Sequence, residues 1–198
     1  MASLTCTQSR KALLIGNNYP GERCALQSCV NDMTAMHDVL SSNCEFQTIP
    51  KTNCTYMDMQ TKISEFGDSL NEGDVALFYF SGHGLMYDGV LFLIPCNMAE
   101  IKKESDIQRY CVSMHDVQES LFTGCGKSGI KIMIIDACRS RSHEKVRTKG
   151  SGGPKSRKFA QLQKSPESAN SIVIYATADA TVAYAGSSSA LSQFTKVF

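Results

Sequence analysis

Four short apolar runs, separated by segments with helical spacing, constrain the fold of this chain more than any other feature. Each run is too short for an ordinary helix and is apolar without alternation, which is typical of strands buried on both faces of a parallel sheet. A weaker strand is predicted at 45–50, where Pro50 is expected to stop it. The four runs are KALLIG (11–16), DVALFYF (74–80), IKIMII (130–135) and SIVIYATA (171–178).

The segments between these runs carry helix signals. Apolar residues recur with helical spacing through 25–42, and Thr55 and Asp58 form a capping box that begins a second helix. A second capping box, Ser113–Asp116, predicts a helix near 113–124. Strands that alternate with helices predict an α/β fold with a mostly parallel sheet and helices on both faces.

The sequence also predicts a β-hairpin before the third run. Asp88-Gly89 lies between two apolar arms in LMYDGVLFLIP (85–95). Asp-Gly at this position is the strongest short-range signal for a two-residue hairpin turn. The hairpin is therefore expected to interrupt the alternation of strands and helices.

Composition excludes several classes of protein. The chain has 198 residues, enough for one domain with a real core. No apolar run approaches the roughly 20 residues that cross a bilayer, so we expect neither a membrane segment nor a signal peptide. Nine cysteines form no even framework of close pairs, which favours reduced thiols and a cytoplasmic protein.

The charges are distributed unevenly. The segment Arg139–Lys164 holds nine of the twenty Lys and Arg residues and one acid, while the rest has eleven basic and eighteen acidic residues, a net charge of −7. A nucleic-acid-binding protein would place a basic face on its folded part, so nucleic acid is not an expected partner. An acidic body is instead compatible with basic peptides.

Two chemically active residues follow two of the predicted strands. SGHG places His83 after the strand at 74–80, and DAC places Cys138 after the strand at 130–135. A right-handed crossover brings successive parallel strands to the same edge of a sheet, where ligands bind in open α/β folds. His83 and Cys138 are 55 positions apart in the sequence and are expected to lie close together in space.

A cysteine beside a histidine suits nucleophilic catalysis. A thiol needs a base to form the attacking thiolate, and an imidazole can take that proton and later give it to a leaving amine. The backbone N–H groups of Gly84 and Cys138 could form an oxyanion hole. The alternatives are a buried structural cysteine and a histidine that only occupies a turn between glycines.

FYFSGHG followed by IIDACRS resembles the caspase-like cysteine peptidases, which comprise caspases, metacaspases and paracaspases. The spacing and the Ala-Cys-Arg match the caspase signature, whereas Asp136 replaces its Gln and Ser140 replaces its Gly. Similarity continues through KALLIGNNYP, CVNDMTAMHDVL and YATADATVAYAG. The ACR context is closest to paracaspases and their bacterial relatives.

The resemblance implies a caspase-like three-layer sandwich formed by one catalytic domain over 1–198. Residues 1–138 correspond to the large subunit, 139–168 to a basic flexible loop and 169–198 to the start of the small subunit. Because an apolar strand and the start of a helix stand near the end of the chain, we expect further sheet to follow in a longer protein. A homodimer through that additional sheet edge is a possible assembly.

The departures from the caspase signature imply specificity for basic residues. Metacaspases and paracaspases bind Arg or Lys in an acidic pocket, and Asp32 and Asp136 match its acids. Asp179 is a third candidate, for which a role in a turn is an equal alternative. Asp32 could instead be an exposed helix residue, and Asp136 could simply cap the segment after its strand. No acid-rich cluster like the calcium site of metacaspases is evident, so no metal or other cofactor is expected.

The predicted function is therefore a cysteine endopeptidase that cleaves proteins or peptides after Arg or Lys through an acyl-enzyme. A catalytically silent scaffold and a thiol acyl-transferase are the alternatives. The basic loop also predicts self-cleavage, since it carries the residue types that an acidic pocket accepts; a solvated loop cut by a contaminating protease is the alternative. The candidate cleavage residues are Arg147, Lys149, Arg157 and Lys158.

Overall fold

The computed structural model describes residues 8–22, 24–97, 103–137, 140–141, 170–176, 191–192 and 194–197, with the backbone alone at 104, 140 and 141. The elements in chain order are β1 (Arg10–Gly16), α1 (Cys29–Asn43), β2 (Gln47–Thr52), α2 (Tyr56–Ser69), β3 (Val75–Gly82), β4 (Gly84–Tyr87), β5 (Val90–Leu93), α3 (Glu104–Tyr110), β6 (Val112–Ser113), α4 (Met114–Cys125), β7 (Ile130–Ala137), β8 (Ser140–Arg141), β9 (Ser171–Tyr175) and a 3₁₀ turn at Thr195–Val197.

Over the residues that the structure describes, the central sheet has five parallel strands in the order β2-β1-β3-β7-β9. The α/β class and the parallel sheet predicted from the apolar runs are therefore confirmed. The expectation that Pro50 stops the second strand is wrong, because Pro50 lies inside β2 and is paired with Leu14. β2 is an edge strand of the described sheet, and an edge strand tolerates a proline that cannot donate a ladder hydrogen bond.

Helices cover both faces of the sheet, as expected. On one face, Met33, Met36 and Leu40 of α1 pack against alternate residues of β1 and β3. On the other face, α2 and α4 pack against the intervening residues of the same strands, because successive side chains of a strand point to opposite faces. The two helices approach closely, since a Cβ at Gly124 would collide with the backbone oxygen of Gly67.

The predicted hairpin is present and belongs to a second sheet with the order β6-β5-β4-β8. Its turn has Asp88 at φ 47° and Gly89 at φ 81°, the positive values that a type I′ turn requires. Its small partner strands β6 and β8 and the helix α3 were not predicted from the sequence. Each is too short to show a hydrophobic period.

The predicted helix starts are largely as expected. Thr55 and Asp58 form a complete capping box, whereas at α4 the structure describes one half of the predicted box, in which the Ser113 hydroxyl accepts the Asp116 N–H. Of the helices that the structure describes, none has the length and apolarity needed to cross a bilayer.

Candidate active site

The register between β3 and β7 sets the geometry of the site. Ser81 is paired with Asp136, and Gly82 is paired with Ala137. The next residues in the chain are His83 and Cys138, so both strands lead to the same sheet edge, as expected. Cys138 itself lies outside the described residues, as do Asp179, Arg147, Lys149, Arg157 and Lys158.

His83 is half-buried and joins β3 to β4. Its Nε2 lies 2.6 Å from the backbone oxygen of Cys24. A carbonyl oxygen only accepts a hydrogen bond, so Nε2 carries the proton in this contact and Nδ1 is the basic nitrogen of the neutral imidazole. Gly84, the candidate oxyanion residue, begins β4 and is buried.

Tyr19 holds the backbone at His83. Its hydroxyl accepts the His83 N–H at 2.7 Å and donates to the backbone oxygen of Ile94 at 2.7 Å. The two rings lie 4.5 Å apart between centroids. Burial raises the pKa of Tyr19 well above its usual value, so the phenol keeps its proton. Tyr19 was not predicted as a site residue, since NNYP carries no catalytic motif.

The glycine before the histidine is required by this arrangement. A Cβ at Gly82 would lie 2.7 Å from the Tyr19 hydroxyl oxygen and 2.7 Å from Cζ of Phe80. Neither neighbour has an easy way to move, because both are fully buried. The first glycine of SGHG therefore serves the packing of Tyr19 beneath His83, in addition to any role in substrate approach.

The two candidate pocket acids are buried at the same sheet edge. Asp32 on α1 is 0% exposed and Asp136 at the end of β7 is 5% exposed. The alternative that Asp32 is an exposed helix residue is therefore wrong. Within the part of the chain that the structure describes, neither carboxylate forms a salt bridge.

Ser192, near the end of the described chain, contacts both acids. Its N–H donates to Asp32 Oδ1 at 2.7 Å, and its hydroxyl donates to Asp136 Oδ2 at 2.5 Å. The Thr195 N–H donates to the Ser192 hydroxyl oxygen at 3.1 Å. Asp136 thus accepts a hydrogen bond from a turn 56 positions away in the chain, so its role is not only to cap the segment after its own strand. No sequence signal identified Ser192 or Thr195.

Burial is the main reason that the pKa values of both acids are raised. The pKa of Asp136 is raised from 3.8 to about 6 by burial, against the Ser192 hydrogen bond and with a further increase from the Asp32 charge. Burial also raises the pKa of Asp32, while donors that include the Ser192 N–H and the Ser28 hydroxyl oppose it. The site therefore holds two buried carboxyl groups that ionise less readily than a free aspartate and that have no described cation beside them.

The described cysteines are all free thiols. Burial raises the pKa of Cys29 and Cys111 to about 12, and that of Cys54 and Cys96 to about 11. Such thiols form almost no thiolate at neutral pH and are poor nucleophiles. The described residues also contain no group of three His, Cys, Asp or Glu side chains that could hold a metal ion.

The sequence of this chain is similar to a known protein family and to several individual proteins. The family described as Caspase domain matches residues 9–198. Metacaspase-4 of Arabidopsis thaliana is 27% identical over 152 residues, which cover 67% of this chain and 34% of the plant protein. Metacaspase-1 of Botryotinia fuckeliana is 32% identical over 158 residues, which cover 68% of this chain and 35% of the fungal protein.

A human relative shares the same region. The mucosa-associated lymphoid tissue lymphoma translocation protein 1 is 23% identical over 135 residues, which cover 68% of this chain and 16% of the human protein. The matched regions span about a third of the two metacaspases and less of the human protein.

Proposed function

Because the chain belongs to the caspase-domain family, we propose that it is a cysteine endopeptidase that cleaves after Arg or Lys. The observation that supports this specificity is the pair of buried carboxylates, Asp32 and Asp136, near the carboxyl ends of the parallel strands. Two buried like charges are costly unless a cation joins them. An Arg side chain supplies that cation and offers paired N–H donors to carboxylate oxygens.

The proposed nucleophile is the Cys138 thiol, with His83 as its base. Nδ1 of His83 accepts the thiol proton as the sulfur attacks the peptide carbonyl carbon. The proton then passes to the departing amine, which leaves an acyl-enzyme. Water, deprotonated by the same imidazole, releases the acid product and restores the thiol. The N–H groups of Gly84 and Cys138 are the proposed donors to the oxyanion.

The arrangement around His83 supports its proposed role. The Cys24 backbone oxygen fixes one ring nitrogen, and the Tyr19 hydroxyl fixes the backbone N–H. A base held in one orientation has less freedom to lose when the substrate binds. The high pKa values of the buried thiols also support a nucleophile outside that group.

The pocket acids are covered in this structure, because Asp32 is 0% and Asp136 is 5% exposed. A substrate side chain therefore reaches them only when the residues that cover them move apart. Opening of the pocket around the two acids is therefore part of the proposed reaction. It includes no calcium requirement and no other cofactor, so a chelator should leave the rate unchanged.

Turnover of matched peptides tests the proposal. We expect fluorogenic peptides with Arg or Lys before the reporter to be cleaved, and the same peptides with Asp to be cleaved about a thousandfold more slowly, because a third carboxylate meets two like charges. Cys138→Ala and His83→Ala should each abolish turnover while circular dichroism stays unchanged. Efficient cleavage after Asp would contradict the pocket assignment.

Two outcomes would point to the alternative functions. Absence of turnover by a folded protein, with iodoacetamide labelling spread over several thiols, would indicate a silent scaffold. Transfer of the acyl group to an added amine, with little hydrolysis, would indicate a transferase.

Incubation of the protein beside Cys138→Ala, followed by mass spectrometry, tests the proposed self-cleavage at Arg147, Lys149, Arg157 or Lys158.

A further inference from the structure

Ser192 lies 160 positions after Asp32 in the chain and still contacts it directly. We propose that Ser192 is a positioning residue of the acidic pocket, which fixes both carboxylates with two separate donors so that they present a defined pair of acceptors to a guanidinium. The identity of the ligand rests on the proposed function, whereas the contacts among Ser192, Asp32 and Asp136 do not.

The two donors of Ser192 differ in chemistry and in target. The backbone N–H serves Asp32 Oδ1 at 2.7 Å, and the side-chain hydroxyl serves Asp136 Oδ2 at 2.5 Å. One oxygen of each carboxylate is thus engaged. Asp32 Oδ2 has a longer contact, 3.4 Å, with the Ser81 hydroxyl. Besides burial, which raises both pKa values, hydrogen bonds from Ser28 and Thr195 act on Asp32, and one from Thr195 acts on Asp136. The described donors to the two carboxylates are therefore neutral groups, and a bound guanidinium would supply the missing positive charge.

The turn that carries Ser192 is itself anchored in the core. The Thr195 N–H donates to the Ser192 oxygen at 3.1 Å, and the Thr195 hydroxyl lies 3.3 Å from the hydroxyl of Tyr79 on β3. The Ser192 hydroxyl also lies 3.1 Å from the Thr195 hydroxyl, but its contact with Asp136 Oδ2 is shorter, at 2.5 Å, and a carboxylate is the stronger acceptor of its proton. Ser192 and Thr195 are both about 5–6% exposed, so solvent does not replace these bonds.

The charge environment makes these donors important. Two described titratable groups lie near enough for the charges of Asp32 and Asp136 to add to the effect of burial on their pKa, namely the Cys29 thiol on α1 and the Tyr79 phenol on β3. Burial raises the pKa of Cys29 to about 12 and that of Tyr79 far above its usual value, so both are neutral at pH 7. Each acid also faces the charge of the other. Neutral hydrogen-bond donors are therefore what stabilises the ionised pair.

Ser192→Ala separates the two contacts. Alanine keeps the N–H that serves Asp32 and removes the hydroxyl that serves Asp136. A hydrogen bond to an ionised group is strong enough that its loss should raise the titration midpoint of Asp136 by about one pH unit. The midpoint of Asp32 should move less, because its donor from Ser192 remains.

Carbon-13 NMR of aspartate-labelled protein measures both midpoints, and Asp136→Asn and Asp32→Asn assign the signals. We expect the shift in Ser192→Ala and its reversal in Ser192→Thr, which restores the hydroxyl. Ser120→Ala is the matched control, because it removes a hydroxyl that donates to Ile63 O at 2.9 Å, between α2 and α4. The control should leave both midpoints unchanged.

Unchanged midpoints in a folded Ser192→Ala protein would overturn the proposal. If the alanine variant does not fold, Ser192→Cys gives the same test, since cysteine has a similar size and a weaker donor. An unchanged titration midpoint of Asp136 in Ser192→Cys would also overturn the proposal. This titration does not require peptidase activity. It therefore decides the role of Ser192 even if the proposed function fails.

A kinetic measurement tests the consequence for binding. With the Asp136 midpoint raised from about 6 to about 7, kcat/KM of Ser192→Ala for an Arg peptide should fall about fivefold at pH 6 and less than twofold at pH 8 through the loss of the ionised form. The effect should appear mainly in KM. A lower KM in Ser192→Ala would mean that Ser192 obstructs the pocket, and the positioning role would be wrong.

Discussion

Buried charged groups have opposite surroundings at the two ends of the parallel strands of the central sheet. These two ends are called the amino edge, where the strands begin, and the carboxyl edge, where they end. At the edge where the strands begin, Asp74 is paired with the Lys11 ammonium at 3.2 Å and accepts the N–H groups of Ser9 and Asn71. At the edge where they end, Asp32 and Asp136 share a serine and have no described salt bridge. The carboxylate at the first edge is therefore paired with a cation, whereas the second edge holds two carboxyl groups side by side.

The buried lysine at the amino edge follows the same rule as Asp74. Lys131 is 1% exposed, and its ammonium donates to the backbone oxygens of Gly126 and Gly129 at 2.5 Å and 3.1 Å. It also lies 5.0 Å from the centre of the Phe122 ring. Both carbonyl groups lie just after α4, so the ammonium stands near a helix C-terminus, where a positive charge is favourable.

The pKa directions express this contrast. Burial alone would raise the pKa of Asp74, but the Asn71 N–H, the Lys11 ammonium and the Ser9 N–H together hold it below its usual value. Burial raises the pKa of Asp136 to about 6, since Ser192 only partly opposes it. Buried charge with full compensation indicates a structural role, whereas buried charge without it indicates a place for a ligand.

The largest effect is expected from Asp32→Asn. Removing one of two carboxylates that face a guanidinium should lower kcat/KM for Arg peptides by about a hundredfold to a thousandfold. The free energy of unfolding at pH 7 should not fall, because the substitution removes a buried like charge. Steady-state kinetics and urea denaturation measure the two effects. Equal losses of activity and stability would show that Asp32 is structural and would erase the contrast between the edges.

The second prediction concerns the stability of Asp136→Asn at different pH. The folded pKa of about 6 lies above the unfolded value of 3.8, so the native acid binds more protons in this interval and wild-type stability falls as pH rises through it. Asn lacks this loss and should make the free energy of unfolding about 3 kcal/mol higher than that of wild type at pH 8. The difference should disappear below about pH 3, where the acid is protonated in both states.

Urea denaturation at several pH values between about 3 and about 8 provides the measurement. The substitution should also lower kcat/KM for Arg peptides, which separates it from an ordinary stabilising change. A stability difference that stays constant with pH would mean that the titration of Asp136 does not contribute to it.

The third prediction concerns the amino edge. Asp74→Asn leaves the Lys11 ammonium without its carboxylate partner and should lower the free energy of unfolding by about 2 kcal/mol at pH 7. Because the pKa of Asp74 is lowered in the folded state, this contribution is present above the unfolded pKa and is lost as pH falls through the folded one. KM for Arg peptides should stay unchanged.

A surface pair supplies the control for that experiment. Lys62 and Glu65 lie 2.6 Å apart with side chains 32% and 59% exposed. Lys62→Ala should cost no more than about 0.5 kcal/mol, since water already solvates this pair. A change in KM with Asp74→Asn, or a loss no larger than that of Lys62→Ala, would contradict the structural assignment of the amino edge.

Much of the scaffold could be predicted from local pattern. The runs of β1, β3 and β7 are apolar because both faces of the sheet are covered there, and Asp88-Gly89 specifies its turn through its own backbone preferences. The prediction that the run at 171–178 forms a buried strand is wrong in part, since β9 is only half-buried and Ile172 is 54% exposed. Pro50 misled the prediction because a proline breaks only a strand whose N–H must pair. Whether that is so depends on the strand's position in the sheet, which the local sequence does not encode.

The sequence by itself determined the order of strands and helices, and with it the sheet edge to which β3 and β7 lead. Periodicity and turn chemistry act over a few residues, so they can be read without the fold. The tertiary structure decided which groups surround that edge: Tyr19 beneath His83, and Ser192 between Asp32 and Asp136. These partners are 64, 160 and 56 positions apart. Only the packed chain brings their donors and acceptors within hydrogen-bond distance, and burial then changes the pKa values that give the site its chemistry.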